Sequence, residues 1–131
     1  MTLNFQDYVR GVYYLQQSRG SAKPTDLAKR LAVSKNTVSL MVQKLSDKGL
    51  LEYARYQDIG LTQKGRKLAK TLTYRHRLIE KFLADVLNVP ADQVHMEACR
   101  LEHDFSEASI TAIEKLLGHP KIDPHGQPLK E

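Results

Sequence analysis

Two short helical patterns joined by a tight turn constrain the fold of this chain more than any other sequence feature. Pro24 is typical of a helix start. The apolar side chains that follow it at helical spacing are Leu27, Ala28 and Leu31. Residues 32–34 form a turn whose last residue, Ser34, is a good N-cap, because its hydroxyl can accept from an unpaired backbone N–H. A second helix is predicted over about 35–48. Its apolar stripe is Val38, Met41, Val42 and Leu45, and Gly49 is predicted to end it as a left-handed C-cap.

A helix before this pair and a hairpin after it complete the pattern. Apolar spacing predicts the earlier helix over residues 5–17, with Gly20 ending it. After Gly49, two short strands are predicted over 50–53 and 59–62, with a polar tip between them that carries Arg55. Two helices joined by a turn and followed by a hairpin are the pattern of a winged helix-turn-helix. The whole run KGLLEYARYQDIGLTQKGR indicates this motif far more specifically than any of its pieces.

Charge is distributed unevenly along the chain and separates its two halves. Residues 1–70 contain 13 Lys and Arg against 5 Asp and Glu, whereas residues 71–131 contain 7 against 10. A basic half favours a polyanionic partner, and nucleic acid is the commonest one. Solubility alone could also explain the charge. Because the winged helix-turn-helix pattern lies in the basic half, we predict a DNA-binding domain over 1–70 and a second domain over 71–131.

The second helix of the pair would present its polar start to the DNA major groove. Amide side chains can pair with adenine edges, and hydroxyls can reach bases or phosphates. The candidate DNA-binding residues are Ser34, Lys35, Asn36, Thr37, Ser39, Gln43 and, at the wing tip, Arg55. A solvated polar face without a ligand is the alternative interpretation.

The second half is predicted to be helical and to contain an unusual set of side chains. A long helix is expected over about 63–87, a second over about 91–104 and a third from Ser106 to Gly118. His95, Cys99, Glu102 and His103 follow one another at i, i+4, i+7 and i+8, which places them on one helical face. His76 and Glu80 are also spaced at i and i+4.

Imidazole, thiolate and carboxylate groups together suit iron(II), manganese(II), zinc or cobalt. Taken singly, His76 is more typical of a surface histidine. Cys99, the one cysteine, could be a core residue, a reactive thiol or a ligand. The six residues together favour a metal site.

Several separate motifs resemble the diphtheria toxin repressor and manganese transport regulator family. They are HMEACRLEHDFSE, TYRHRLIEKFL, VSKNTVSLMVQKLSDKGLL, LTQKGRKLA and PHGQPL, and they extend over almost the whole chain. The resemblance implies a mostly α-helical protein with an N-terminal winged helix-turn-helix and an all-helical metal-binding and dimerisation domain. It also implies a metal-dependent repressor that acts as a homodimer on a palindromic operator in double-stranded DNA, controlling metal uptake or homeostasis genes. The family's SH3-like domain is expected to be absent.

The resemblance further implies two ligand sets. One would comprise Asp7, Cys99, Glu102 and His103, tying the first helix to the fifth, and the other His76, Glu80 and His95. Iron-type members typically have Met at the position of Asp7. Manganese-type members have Asp there, but usually Glu at the position of Cys99 and an acid at that of Arg10. This mixture favours iron(II), with manganese(II) close behind.

Two other functions could use these residues. A metal-dependent hydrolase would need an open metal position, yet there is no HExxH motif, nucleophile–base pair or glycine-rich phosphate loop. The chain is therefore not expected to be an enzyme. A winged-helix regulator that ignores metal is the stronger alternative. The chain has no apolar run of membrane-spanning length and no secretory signal, so we expect a cytoplasmic location without membrane contact.

Overall fold

A computed structural model describes residues 4–54 and 56–121 of the chain. Arg55 and the PHGQPL motif lie outside the described residues. Within them the helices are α1 (Phe5–Arg19), α2 (Pro24–Leu31), α3 (Lys35–Asp47), α4 (Gln63–Asp85), α5 (Ala91–Leu101) and α6 (Glu107–Leu116). Two short strands, β1 (Leu51–Glu52) and β2 (Gly60–Leu61), pair antiparallel between α3 and α4. The predicted fold class, a winged helix-turn-helix followed by helices, is confirmed.

The chain divides after Lys70 into two compact units. In the first unit, α1, α2, α3 and the hairpin surround one apolar core. Its largest fully buried side chains are Val9, Val12, Leu27, Val38, Val42, Leu45, Leu51 and Ile59. A Cβ atom added at Gly65 would lie 1.9 Å from the carbonyl oxygen of Leu50, so the start of α4 can approach the hairpin this closely only with glycine.

Local signals set the helix boundaries of this unit within one or two residues of the predicted positions. Gly20 adopts a left-handed φ of 80° after α1, and Pro24 occupies the first turn of α2. The Ser34 hydroxyl accepts from the backbone N–H of Thr37 and caps α3. Lys48 is the C-cap of α3, and Gly49 takes the left-handed conformation (φ 75°) one residue after it.

The two strands are shorter than predicted, although hydrogen bonds continue beyond their ends. The carbonyl of Leu50 accepts from both the backbone N–H and the hydroxyl of Thr62. Ile59 donates its backbone N–H to Ala22 over 2.7 Å and forms an isolated bridge with that residue. The residue that precedes β2 is thus fastened to the segment between α1 and α2.

In the second unit, residues of α4, α5 and α6 form a separate apolar core. Its buried members are Leu78, Ile79, Leu83, Val94, Ala98, Ile110 and Ile113. Helix α4 ends at Asp85 rather than near Leu87, and Asn88 then takes a left-handed φ of 55° before Pro90. No helix in the described part of the chain is long and apolar enough to cross a membrane.

Helix α5 is shorter than predicted and ends at Leu101, with Glu102 as its C-cap. The guanidinium of Arg75 donates to the carbonyl of Glu102 at 3.3 Å and to that of Phe105 at 2.6 Å. These bonds give the carbonyls around the turn partners outside the helix, as helix ends require. Ser106 then caps α6 by accepting from the backbone N–H of Ser109.

Candidate metal centre and candidate nucleic-acid interface

Helical spacing places four polar side chains of the second unit in two pairs, and the members of each pair lie one turn apart on the same helix. His76 and Glu80 belong to α4, and His95 and Cys99 belong to α5. Glu102 follows α5 directly as its C-cap. These residues adjoin the apolar core, and three of them (His76, Glu80 and Glu102) are less than 10% exposed.

His76 is the centre of this cluster, because both of its ring nitrogens have polar partners. Its Nδ1 lies 2.6 Å from Oε2 of Glu102. Its Nε2 lies 3.1 Å from Oε1 of Glu80 and 3.1 Å from Nδ1 of His95. Two buried carboxylates therefore share one imidazole, an arrangement that offsets the cost of removing their charges from water.

His95 links the buried part of the cluster to its exposed edge, where its side chain is 62% exposed. Its Nε2 lies 3.6 Å from Sγ of Cys99, and its Nδ1 lies 3.9 Å from Oε2 of Glu80. The hydrogen bonds with Cys99 and then with Glu80 raise the pKa of His95 to about 10, although burial opposes this shift.

The donor atoms of this cluster fit a divalent transition metal. One ligand atom each from His76, His95 and Cys99 lies within 4.8 Å of the other two. Glu80 and Glu102 add carboxylate oxygens against the same imidazoles. Nitrogen, sulfur and oxygen donors together suit borderline ions such as iron(II) better than calcium or magnesium, which prefer oxygen alone.

Within the second unit, members of the two predicted ligand sets contact each other, because His76 of one set bonds to Glu102 of the other. Cys99, expected beside Glu102 and His103, groups instead with His76 and His95. Glu102 contacts His76 through Oε2, and its Oε1 lies 3.4 Å from Nε2 of His103. Helical spacing alone could not distinguish these groupings, because it gives the face of each helix but not the partner across from it.

Asp7 belongs to the first unit and has a local role there. Its side chain is 9% exposed. Its Oδ2 accepts the backbone N–H of Asn4 at 2.8 Å, which completes a capping box at the start of α1. The acid at this position therefore stabilises the helix start, whatever else it binds.

Arg75 is a residue of this region to which sequence reasoning assigned no role. Besides its bonds to the turn after α5, its Nη1 lies 2.7 Å from Oε1 of Glu107. It thereby holds the backbone of Glu102, whose side chain contacts His76. Its position next to His76 in the sequence was the one available signal.

The polar start of α3 forms a solvent-facing surface in the first unit. The predicted DNA-binding residues that the structure describes are all exposed, namely Ser34, Lys35, Asn36, Thr37, Ser39 and Gln43. Ser34 is occupied as the N-cap, and Gln43 donates to Asp47 at 3.1 Å. Leu40, which the prediction omitted, is also exposed on this helix.

Comparison with known proteins gives the two units their context. Residues 1–59 match the model of the iron-dependent repressor N-terminal DNA-binding domain. Residues 62–130 match that of the iron-dependent repressor metal-binding and dimerisation domain. The chain belongs to the iron-dependent repressor family. The resemblance to the diphtheria toxin repressor and manganese transport regulator family is thereby confirmed, and this family consists of repressors, not enzymes.

Two members of the repressor family match the same share of this chain but different shares of their own length. The iron-dependent repressor IdeR of Mycobacterium tuberculosis (strain H37Rv) is 38% identical over 122 residues, which are 93% of this chain and 53% of IdeR. The regulator MntR of Bacillus subtilis (strain 168) is 37% identical over 93% of this chain and 85% of its own length. This chain spans about half the length of the IdeR relatives it matches.

The architecture also matches a solved member of the repressor family. A manganese-dependent transcriptional repressor in complex with manganese superposes with a TM-score of 0.89 at 37% identity, over 96% of this chain and 58% of that one. Family members are thus described with iron and with manganese, and both metals enter the functional proposal.

Proposed function

We propose that this chain is a transcriptional repressor whose binding to DNA depends on a divalent transition metal. The observation that carries the proposal is the cluster of His76, His95 and Cys99 with two buried carboxylates. It occurs in a chain whose other unit is a basic winged helix. The genes it controls are proposed to serve metal uptake or homeostasis, as the family resemblance implies.

The proposed ligands come first from the cluster itself. His76, His95 and Cys99 offer nitrogen and sulfur atoms, and Glu80 and Glu102 offer oxygens. His103 is a further ligand through its position beside Glu102. Asp7 is proposed as a ligand on the sequence resemblance alone.

Each side chain in the cluster has a distinct role in receiving an ion. His76 holds Glu80 and Glu102 in place through its two nitrogens. Arg75 fixes the backbone that carries Glu102. His95 must lose its proton before its nitrogen can act as a ligand. A bound divalent ion supplies the positive charge that offsets the two buried carboxylates.

The metal is proposed to be iron(II), with manganese(II) as the second candidate. The thiolate of Cys99 and two imidazoles favour an ion softer than manganese, whereas the carboxylates of Glu80 and Glu102 suit either. A relative named for iron and a solved structure named for manganese match the chain at similar identity.

The DNA partner is proposed to be a palindromic duplex bound by a homodimer. Two identical DNA-binding domains related by a twofold axis require two half-sites with the same symmetry. In each domain, the exposed start of α3 would enter the major groove, with Lys35 near phosphates and Asn36 near base edges.

The experiment begins with selection of a preferred duplex from a random library, under anaerobic conditions because iron(II) and a thiolate both oxidise. Binding is then titrated with iron(II), manganese(II), zinc(II) or a chelator. We expect tight binding with iron(II) or manganese(II) and a loss of at least tenfold with the chelator. Equal binding with the chelator would contradict metal dependence.

Matched variants assign the requirement to the cluster. Glu80→Gln should abolish metal-stimulated binding, since it replaces a buried carboxylate beside His76 with a neutral amide. Glu97→Gln is the control, because Glu97 lies on α5 but its side chain is 42% exposed and pairs with Arg100. If both variants respond to metal as the original chain does, Glu80 is not a ligand.

A metal-independent winged-helix regulator is the second candidate. The hydrogen bonds among His76, Glu102 and His95 form without an ion, and the cluster could therefore be purely structural. The chelator titration separates the two candidates directly.

A further inference from the structure

One apolar side chain of α3 faces solvent instead of the core. The other aliphatic residues of the helix, Val38, Val42 and Leu45, are at most 1% exposed, whereas Leu40 is 68% exposed. Helical spacing places Leu40 on the same face as Asn36 and Gln43, which lie four residues before it and three after it. Leu40 therefore lies at the centre of the surface proposed to meet DNA.

From this placement we propose that Leu40 reads the 5-methyl group of a thymine in the DNA major groove. The proposal rests on the proposed DNA-binding function and adds a specificity-determining residue to it. The thymine methyl is the apolar feature that a base pair displays in that groove, and an aliphatic side chain can recognise it by van der Waals contact.

The surroundings of Leu40 favour DNA over a protein partner. Lys35 and Lys44 lie on α3, and the first turn of the helix carries no acidic residue. Asp47, at the far end of α3, accepts a hydrogen bond from Gln43. Among the described residues of α3, Leu40 is the one large hydrophobic side chain that is exposed. A single apolar group within a basic and amide-bearing surface matches one methyl group between polar base edges better than the apolar core of a protein interface.

Thymine and uracil provide a direct test, because they differ by this methyl group alone. The duplex selected by the original chain with manganese(II) is resynthesised with each thymine replaced in turn by deoxyuridine. At one thymine in each half-site, we expect affinity to fall about fourfold, which corresponds to the burial of one methyl-sized group. At that position, Leu40→Ala should bind the thymine and uracil duplexes equally.

A conservative variant separates methyl recognition from a general effect on α3. Leu40→Met keeps an apolar side chain of similar size and should retain the preference for thymine over uracil. Because Leu40 is exposed, both variants should fold, as circular dichroism would verify. The proposal is overturned if every thymine replacement affects the original chain and Leu40→Ala alike, or if no thymine methyl matters. Failure to select any duplex would instead contradict the proposed DNA-binding function.

Discussion

The two units of the chain place their functional residues in opposite environments. In the first unit, the proposed DNA-binding side chains are exposed on α3 and the core beneath them is apolar. In the second, His76, Glu80 and Glu102 are buried beside the core and bonded to one another. An exposed reading surface can change with little effect on folding. The buried cluster cannot, because each of its side chains supports the next. Substitutions on the proposed DNA-binding surface should therefore cost less unfolding free energy than substitutions in the buried cluster.

The strongest test of this contrast removes the centre of the buried cluster. His76→Ala would leave Glu80 and Glu102 without the imidazole that they share. We expect the metal-free protein to lose about 3–5 kcal/mol of unfolding free energy, as is typical when one partner of a buried ion pair is deleted. Urea denaturation measures the loss. His119→Ala, which removes a histidine whose side chain is 70% exposed beside Glu114, should change stability by less than about 0.5 kcal/mol.

A second variant tests where the stability of the first unit resides. The new methyl of Gly65→Ala would collide with the carbonyl of Leu50, so α4 would have to move away from the hairpin. The expected loss is about 3 kcal/mol, at the upper end for overpacking because the obstacle is backbone. Thermal unfolding of Gly60→Ala is the matched control, since its methyl would meet chiefly the flexible side chain of Glu52. Equal losses in the two variants would refute the close approach.

The pH dependence of metal binding sharpens the description of the second unit. The pKa of His95 is raised to about 10, so at neutral pH both of its ring nitrogens carry a proton in the metal-free protein. An ion must displace one of these protons. Affinity should therefore rise with pH, by about tenfold per unit for each proton released. Calorimetry from pH 6 to pH 8, in buffers of different ionisation enthalpy, measures the release. In His95→Gln the slope should fall by about one proton per ion, and an unchanged slope would exclude His95 as the group displaced.

The smallest expected effect concerns a residue with two possible roles. Ser34 caps α3 through its hydroxyl and also lies on the proposed DNA surface. Ser34→Ala should cost about 1 kcal/mol of unfolding free energy, as loss of an N-cap does. Ser39→Ala removes a hydroxyl from the interior of the same helix and should be neutral or slightly stabilising. If the two variants unfold alike in a denaturant titration, the hydroxyl of Ser34 does not cap the helix.

Sequence reasoning succeeded where a structure depends on neighbouring residues. Gly20, Pro24 and Ser34 mark helix ends through backbone geometry and a bond only three residues long, and all three were predicted. The buried stripe of α3 followed from its period. The winged helix and the helical second unit could be predicted for the same reason.

Features that depend on distant partners could not be predicted in this way. The end of α5 at Leu101 is associated with bonds from Arg75, more than twenty residues earlier. The grouping of Cys99 with His76 depends on how α4 and α5 pack together. The periodicity of each helix does not specify that packing. Leu40 lies outside the predicted apolar stripe of α3, and the predicted DNA-binding residues of that helix were polar or charged side chains alone.

The bridge between Ile59 and Ala22 has a consequence for the proposed search for DNA. It joins the residue that precedes β2 to the loop that leads into α2, so β2 is attached to the helical part of the first unit as well as to β1. In the proposed complex, α3 and the two strands would therefore meet a duplex at a fixed separation. The groove width of the duplex would have to match that separation, which would make local DNA shape a criterion for docking before any base is read.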